Sequence, residues 1–394
     1  MENDQGFERI DLYDHNRKLQ RELEQLKTEE RILPTNRETI ARFIRAARIG
    51  HTIKRGPRRR LSANRCRKLL VTLRRFAYET RAPLEQVSPD QMERFILGLE
   101  DGTVTKLVQV GQSMKYSPST VLDFKKILRK FYRWLLMDEP HKVDELTGWF
   151  DTRDYAPELK TFTIEDARRM AATAPHPPQG SALVLFLFDA GPRATEAMNV
   201  RLGDLTLRTE AMGERVLYAR IRVSKTKART ISLPIATEQL LFWIERHPRG
   251  GVFGPDGAIR AADPSSTLFT WQYNTCRNML SEMGKRELRE RLYFHRFRHA
   301  SATWYASRLT EYQMCARYGW VMGSRAVRRY VDQAGVLSRG VSERILSELR
   351  DDQSLGPLPI QQTGSQAPAE LLGLLRRDPM ALERLRKLLN GEGE

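Results

Sequence analysis

The sequence predicts a mainly α chain in two folded parts: a helical bundle, then an α+β unit with one small antiparallel β-hairpin sheet. Three observations predict it. Apolar residues recur at helical spacing behind serine or Ser-Pro starts in the first third of the chain. Arg215 to Val223 and Arg229 to Leu233 read as strands, joined by the turn Ser224-Lys225-Thr226-Lys227-Ala228. At 394 residues there is also chain enough for two domains with buried cores.

Residues 1–33 read as a polar N-terminal helix or arm, with Leu19, Leu23 and Leu26 on one face among many charges. An amphipathic arm fits this pattern better than an oligomerisation helix. Residues 34–140 read as a compact helical unit. Ser62 suits the N-cap of a helix running to about Tyr78, with Leu69, Leu70, Leu73 and Phe76 on one side. Ser88-Pro89 opens a second helix with the stripe Met92, Phe95, Ile96 and Leu99, since proline suits the first helical turn. Residues 101–117 read as a loop. Ser117-Pro118 opens a third helix carrying Val121, Phe124, Ile127, Leu128, Phe131, Tyr132 and Trp134, whose aromatic cluster reads as core rather than as a base-stacking platform.

A linker is expected over 141–160 and a second domain over 161–350, starting with a helix at Phe162-Thr163-Ile164-Glu165-Asp166. Around the hairpin, helices are expected at Ser181 to Ala190, Thr195 to Val200, Thr237 to Arg246, Pro264 to Met283 and Arg298 to Ser307. Residues 351–368, rich in Gln, Gly, Pro and Ser, read as a flexible linker. Residues 369–394 form an amphipathic leucine-rich tail, interrupted by Asp378-Pro379, that suits docking on a partner subunit or on its own second domain.

A net charge of +17 and a pI near 10.0 point to a polyanionic partner, most simply nucleic acid. From Thr39 to Tyr78 there are thirteen Lys and Arg residues and no acidic one, which favours phosphate contact over a solvated face or a membrane surface. Arg55, Arg58, Arg59, Arg60, Arg65 and Lys68 are the candidate DNA contacts within it. Cys66, Cys276 and Cys315 are too far apart for a disulfide framework or a zinc site, so no metal is expected. No apolar run reaches membrane-spanning length and the charged N-terminus lacks a signal-peptide core, so a cytoplasmic, nucleoid-associated protein is expected.

The residues with chemistry to offer are Arg193, Lys225, His295, Arg298, Trp320 and Tyr330. Singly each has a bland reading: Arg193 as an ion-pair partner of Glu196, Trp320 and Tyr330 as packing, His299 as a structural histidine at a helix start. Together they suit phosphodiester cleavage, which needs positive charge at the non-bridging oxygens and proton transfer at both bridging ones. Arginine grips phosphate bidentately and keeps its charge, which fits Arg193 and Arg298. Tyr330, with an ordinary pKa near 10, needs help to become a nucleophile. His295 could take its proton, or the arginine-lined field could lower its pKa. A lysine on the hairpin tip suits the acid for the leaving oxygen. Lys225 is the first choice, and Lys227 competes from the same tip.

In order and spacing these residues resemble the tyrosine recombinase (phage integrase) family. The motifs are Gly191-Pro192-Arg193-Ala194-Thr195-Glu196, Lys225 before Arg229-Thr230-Ile231-Ser232-Leu233-Pro234, His295-Arg296-Phe297-Arg298-His299, Gly319-Trp320 and Tyr330. Leu61-Ser62, Tyr116-Ser117-Pro118-Ser119-Thr120 and Phe131-Tyr132-Arg133-Trp134-Leu135 are similar to that family's core-binding domain, so the resemblance covers about Leu61 to Leu349. The ten-residue step from Trp320 to Tyr330 is similar to the branch found in archaea and their mobile elements; most bacterial members carry a histidine and a step one residue shorter. Pro192 departs from the usual leucine-like residue.

The resemblance implies a two-domain DNA clamp and a site-specific recombinase acting through a 3′-phosphotyrosine, with no cofactor. Arg193 and Arg298 would clamp the phosphate, Lys225 protonate the leaving oxygen, His295 assist, Trp320 pack beside the phosphate and Tyr330 attack. Glu196 and His299 would support them. Double-stranded DNA is the implied partner, met as a homo-tetramer on two sites, with a free monomer allowed. Integration or excision for a mobile element is the leading role. A chromosome-dimer resolvase, a type IB topoisomerase and a catalytically degenerate DNA-binding regulator are the alternatives.

Overall fold

The computed structural model describes residues 9–53, 58–109, 112–153, 160–224 and 228–333. Helices dominate: α1 His15–Lys27, α2 Pro34–Ile49, α3 Ala63–Thr80, α4 Pro89–Asp101, α5 Pro118–Leu135 and α6 Pro140–Thr147 come first, with the short strands β1 Lys106–Gln109 and β2 Gln112–Met114 between α4 and α5. Then follow α7 Ile164–Ala172, α8 Gln179–Ala190, α9 Ala194–Ala197, β3 Leu205–Thr209, β4 Arg215–Ile221, β5 Arg229–Ser232, α10 Thr237–Arg246, β6 Gly251–Phe253, β7 Ile259–Ala261, α11 Tyr273–Leu288, α12 Phe294–Ala306, α13 Glu311–Tyr318 and α14 Arg325–Gln333. The packing divides into two units: the first reaches Ala302 and takes in Ala316–Gly319, while the second holds Thr303–Cys315 and the described residues from Trp320.

Local signals start the early helices. Ser62 Oγ accepts from the Arg65 amide at the head of α3, and Ser88 forms a capping box with Gln91 before α4. Proline occupies the first turn of α2, α4, α5 and α6. Their apolar faces meet in one buried cluster extending from Leu19 to Phe150. Phe131 and Tyr132 are fully buried there, and Phe43 meets Phe131 edge-on at 5.2 Å. These aromatics are core, as their helical spacing suggests. Burying rings of this size contributes about 1.5–3 kcal/mol each. The arm helix α1 joins the same core through Leu19 and Leu26, and its Glu22 pairs with Arg67 of α3 at 2.7 Å.

Beyond Lys160 a second core surrounds α8, buried along nearly its whole length. Thr163 and Asp166 form a capping box at the head of α7. The three strands pair antiparallel in the order β3-β4-β5, with Leu207 opposite Leu217 and Ala219 opposite Ile231. Asp189 at the end of α8 accepts from the amides of Ile235 and Ala236 at 2.7 and 2.9 Å, tying the chain after β5 to that helix.

Several expectations change. The loop expected at 101–117 contains the hairpin β1–β2, whose strands of four and three residues are too short to show an alternation. The stretch expected as a linker opens with α6, which packs Val143 and Leu146 into the first core. The expected hairpin gains a third strand, β3. The helix expected from Pro264 begins only at Tyr273, because Ser266 and Leu268 bond through their backbones to Leu202 and Val200. The helix expected from Arg298 starts at Phe294 and so carries His295 as well. Residues 351–368 and the tail 369–394 lie outside the described residues. Cys66, Cys276 and Cys315 are buried free thiols. No helix among the described residues is long and apolar enough to cross a membrane.

Candidate active site

Arg193 owes its position to a turn only glycine fits. α8 stops at Gly191, whose φ is 53°, in the left-handed region. A Cβ there would lie 2.6 Å from the Tyr318 ring and 2.8 Å from Ser301 Oγ. Gly191→Ala is therefore expected to destabilise the chain by about 1–3 kcal/mol, read as a lowered Tm; an unchanged Tm would show that the turn tolerates a side chain.

Pro192 then leads into Arg193, the N-cap of α9. Its amide donates to Glu196 Oε2 at 2.9 Å and its Nη1 donates to Oε1 at 2.8 Å. Glu196 is 2 % exposed. Burial by itself would raise its pKa, but hydrogen bonding and charge from Arg229, reinforced by Arg193, outweigh burial and hold it down at about 2. The carboxylate is thus ionised throughout the physiological range. Arg229 reaches it from β5: Nη2 donates to Oε2 at 2.9 Å, and Nη1 donates to Ser224 Oγ at 3.2 Å.

Arg298 lies on α12, 2 % exposed. Its Nη1 donates to the Gly191 carbonyl at 2.8 Å and its Nη2 to the Tyr318 carbonyl at 2.7 Å; Glu196 Oε2 is 3.9 Å away. Burial, then the charge of Arg193, lowers its pKa to about 10, so it remains a cation at neutral pH. His295 is one turn earlier on the same helix, with its ring 4.4 Å from that of His299. Much of its surface opens to the cleft, yet the crowding of protein around it comes first among the causes that lower its pKa. Repulsion by Arg298 and Arg193 adds to this.

Arg193, Glu196 and His295 border a cleft of about 1310 Å³. Thr195 and Ser224 line it too, as do Ser62 and Asn64 from the head of α3. The segment before α1 enters the same cleft. The Ile10 amide donates to Asn199 Oδ1 at 2.8 Å, and Tyr13 meets Tyr273 edge-on at 5.5 Å. Nothing in the sequence pattern marks that approach.

Of the six expected catalytic residues, Arg193, His295 and Arg298 are gathered in the first unit. Trp320 and Tyr330 belong to the second, where their rings stack at 5.2 Å with 7° between planes. Lys225 and its competitor Lys227 lie outside the described residues, as does Arg55. Arg58, Arg59, Arg60 and Arg65 are exposed. Lys68 pairs with Asp123, Arg67 with Glu22 and Arg74 with Glu29, so acids remote in sequence offset part of a run that has none of its own. Sequence reasoning missed Arg229, Asp189 and Arg317. Arg317 donates to Asp189 Oδ1 at 2.8 Å and to the Ser232 carbonyl at 3.1 Å, and its own carbonyl accepts from Arg229 Nε at 2.7 Å.

No protein-family model matches the sequence, and no curated protein matches it. Solved structures of related shape do. A lambda integrase dimer bound to a COC′ core site is 12% identical, matched over 77% of this chain and 77% of that one, with a TM-score of 0.50. A lambda integrase tetramer bound to a Holliday junction is 14% identical over 74% of this chain and 76% of that one, at 0.49. XerA recombinase is 14% identical over 79% of this chain and 96% of that one, at 0.33. The match to the lambda integrase dimer shows the fold: a mostly helical chain with a small antiparallel sheet.

Proposed function

We propose that this chain is a tyrosine-type site-specific recombinase that breaks and rejoins double-stranded DNA through a 3′-phosphotyrosine. The observation that carries the reading is the meeting of Arg193, His295 and the ionised Glu196 carboxylate at a cleft also bordered by the head of the arginine-rich helix α3, with Arg298 buried 3.9 Å from that carboxylate. Two guanidiniums there offer the non-bridging oxygens of a phosphate the fixed positive charge its transition state requires. The fold shared with lambda integrase supports the reading.

In this mechanism Tyr330 Oη attacks phosphorus and the bond to the 5′-oxygen breaks. That oxygen takes a proton from Lys225, leaving a free 5′-hydroxyl and a 3′-phosphotyrosyl ester. Attack by a 5′-hydroxyl on that ester returns the tyrosine and reseals a strand, so the ester stores the energy of the broken bond. His295 takes the tyrosine proton, with His299 supporting its ring, and Arg193 and Arg298 hold the phosphate. The exposed Arg58, Arg59, Arg60 and Arg65 contact the DNA backbone, which makes affinity salt-dependent. A tetramer on two sites performs the exchange, in a recombinase of the archaeal mobile-element type. The Trp320-to-Tyr330 spacing supports that finer assignment.

The test is covalent trapping on a nicked duplex built from the DNA flanking the gene. A denaturation-resistant adduct is expected, with the nucleotide on the peptide containing Tyr330. Tight binding without any adduct would instead identify a DNA-binding regulator.

Acidity gives a second test. His295 has a pKa below the ordinary 6.5, so its proton-accepting form predominates at neutral pH. Single-turnover cleavage is expected to be level near neutrality and to fall only as pH drops through that depressed value. His295→Gln is expected to lose this limb and about 10²–10⁴-fold in rate. A limb left in place in the variant would assign it elsewhere. The same shift makes the unfolded chain bind the proton more readily, so the contribution of His295 to stability is lost as pH falls below about 6.5.

A further inference from the structure

We propose that Arg229 is a positioning residue of the phosphate site, holding Glu196 so that Arg193 can offer its charge to DNA. The inference rests on the phosphate-binding reading of the cleft. Three guanidiniums surround the buried Glu196 carboxylate: Arg193 at 2.8 Å, Arg229 at 2.9 Å and Arg298 at 3.9 Å. A carboxylate 2 % exposed must be compensated by nearby cations. Were Arg193 its main partner, much of that arginine's field would be spent within the protein. Arg229 shares that compensation, donating to both carboxylate oxygens.

Arg229 is suited to that task because its guanidinium is committed to partners within the protein. Its side chain is only 8% exposed. Each of its three guanidinium nitrogens donates within the fold. Nε donates to the Arg317 carbonyl at 2.7 Å, Nη1 to Ser224 Oγ and Nη2 to Glu196. Arg317 is itself held by Asp189 and Ser232, so the guanidinium plane is fixed by α8, β5 and α13 together. Losing Arg229 would leave one carboxylate between two arginines where there had been three. The cluster's net charge would fall from two positive to one. A lysine would restore charge but not the planar fork that meets Glu196, Ser224 and the Arg317 carbonyl at once.

The experiment compares the full chain with Arg229→Gln, Arg229→Lys, Glu196→Gln and Arg229→Gln/Glu196→Gln, at a temperature well below each Tm. Single-turnover cleavage of the nicked duplex is expected to slow about 10- to 100-fold in Arg229→Gln. Part of that loss should return in Arg229→Lys. The double variant should cleave faster than Arg229→Gln alone, because the uncompensated carboxylate has gone. A merely structural role predicts the opposite: unchanged cleavage while folded, or a double variant worse than either single one. Either result overturns the proposal.

Binding to a short mixed-sequence duplex decides the matter without catalysis. Arg193→Gln is expected to lower the salt slope of binding by about 1 in the natural background and by less than about half of that beside Arg229→Gln. An equal change in both backgrounds overturns the proposal. A natural chain that forms no adduct, but shows this coupling in binding, would refute the recombinase chemistry and leave the role of Arg229 standing.

Discussion

Tyr330→Phe is expected to bind DNA as the natural chain does and to form no covalent adduct, a loss of at least about 10⁴-fold in cleavage. The substitution removes one oxygen and keeps the ring. Tyr330 stacks face to face on Trp320, with ring centres 5.2 Å apart and planes 7° from parallel, and phenylalanine preserves that contact. Such an aromatic pair contributes about 0.5–1.5 kcal/mol beyond the area it buries, and the phenylalanine chain keeps it. Affinity should hold as well, because in this reading the phosphates are met by arginines. The measurement is the adduct yield on the nicked duplex, beside a binding isotherm and a melting curve. Undiminished adduct from the phenylalanine chain would move the nucleophile elsewhere and end the mechanism.

Asp189→Ala should produce the largest loss of stability, about 3–5 kcal/mol. Asp189 is fully buried, at 0 % exposed, and its carboxylate accepts from the amides of Ile235 and Ala236 and from Arg317. Alanine would leave a buried guanidinium without its counter-charge and two amides without their acceptor. For a chain of 394 residues that corresponds to a drop of about 4–6 °C in Tm. Asp189→Asn should cost less, since its amide oxygen still accepts. The damage should also reach the proposed phosphate site, because the Arg317 carbonyl holds Arg229 and the neighbouring Tyr318 carbonyl holds Arg298. Calorimetry of both variants is decisive: an alanine chain as stable as the asparagine chain would show that Asp189 bears no such load.

How much of this was legible in advance depended on how far apart the interacting residues lie. Helix starts at Ser62, Ser88 and Thr163 were readable because a cap and the amide it serves are three residues apart. The stripes of α3, α4 and α5 were readable because one face of a helix repeats within a few residues. Glu196 was readable as support for Arg193 for the same reason, at three residues' distance. The small strands β1, β2, β6 and β7 were not, because three or four residues carry too little alternation. The thirteen cations before Glu79 read as uncompensated, yet Glu22, Glu29 and Asp123 reach them from α1, the turn after it, and α5.

The sequence by itself determined the helical character of this protein, the early helix starts and the set of groups able to serve a phosphate, since each depends on residue type or on neighbours within a turn. Only the tertiary structure decided that Arg229, 33 residues from Glu196, compensates its charge, and that Asp189 and Arg317, 128 residues apart, pair where the Arg317 carbonyl holds Arg229. The reason is physical. An ion pair forms wherever folding brings two charges together and removes water from them, and no local pattern records which two those will be.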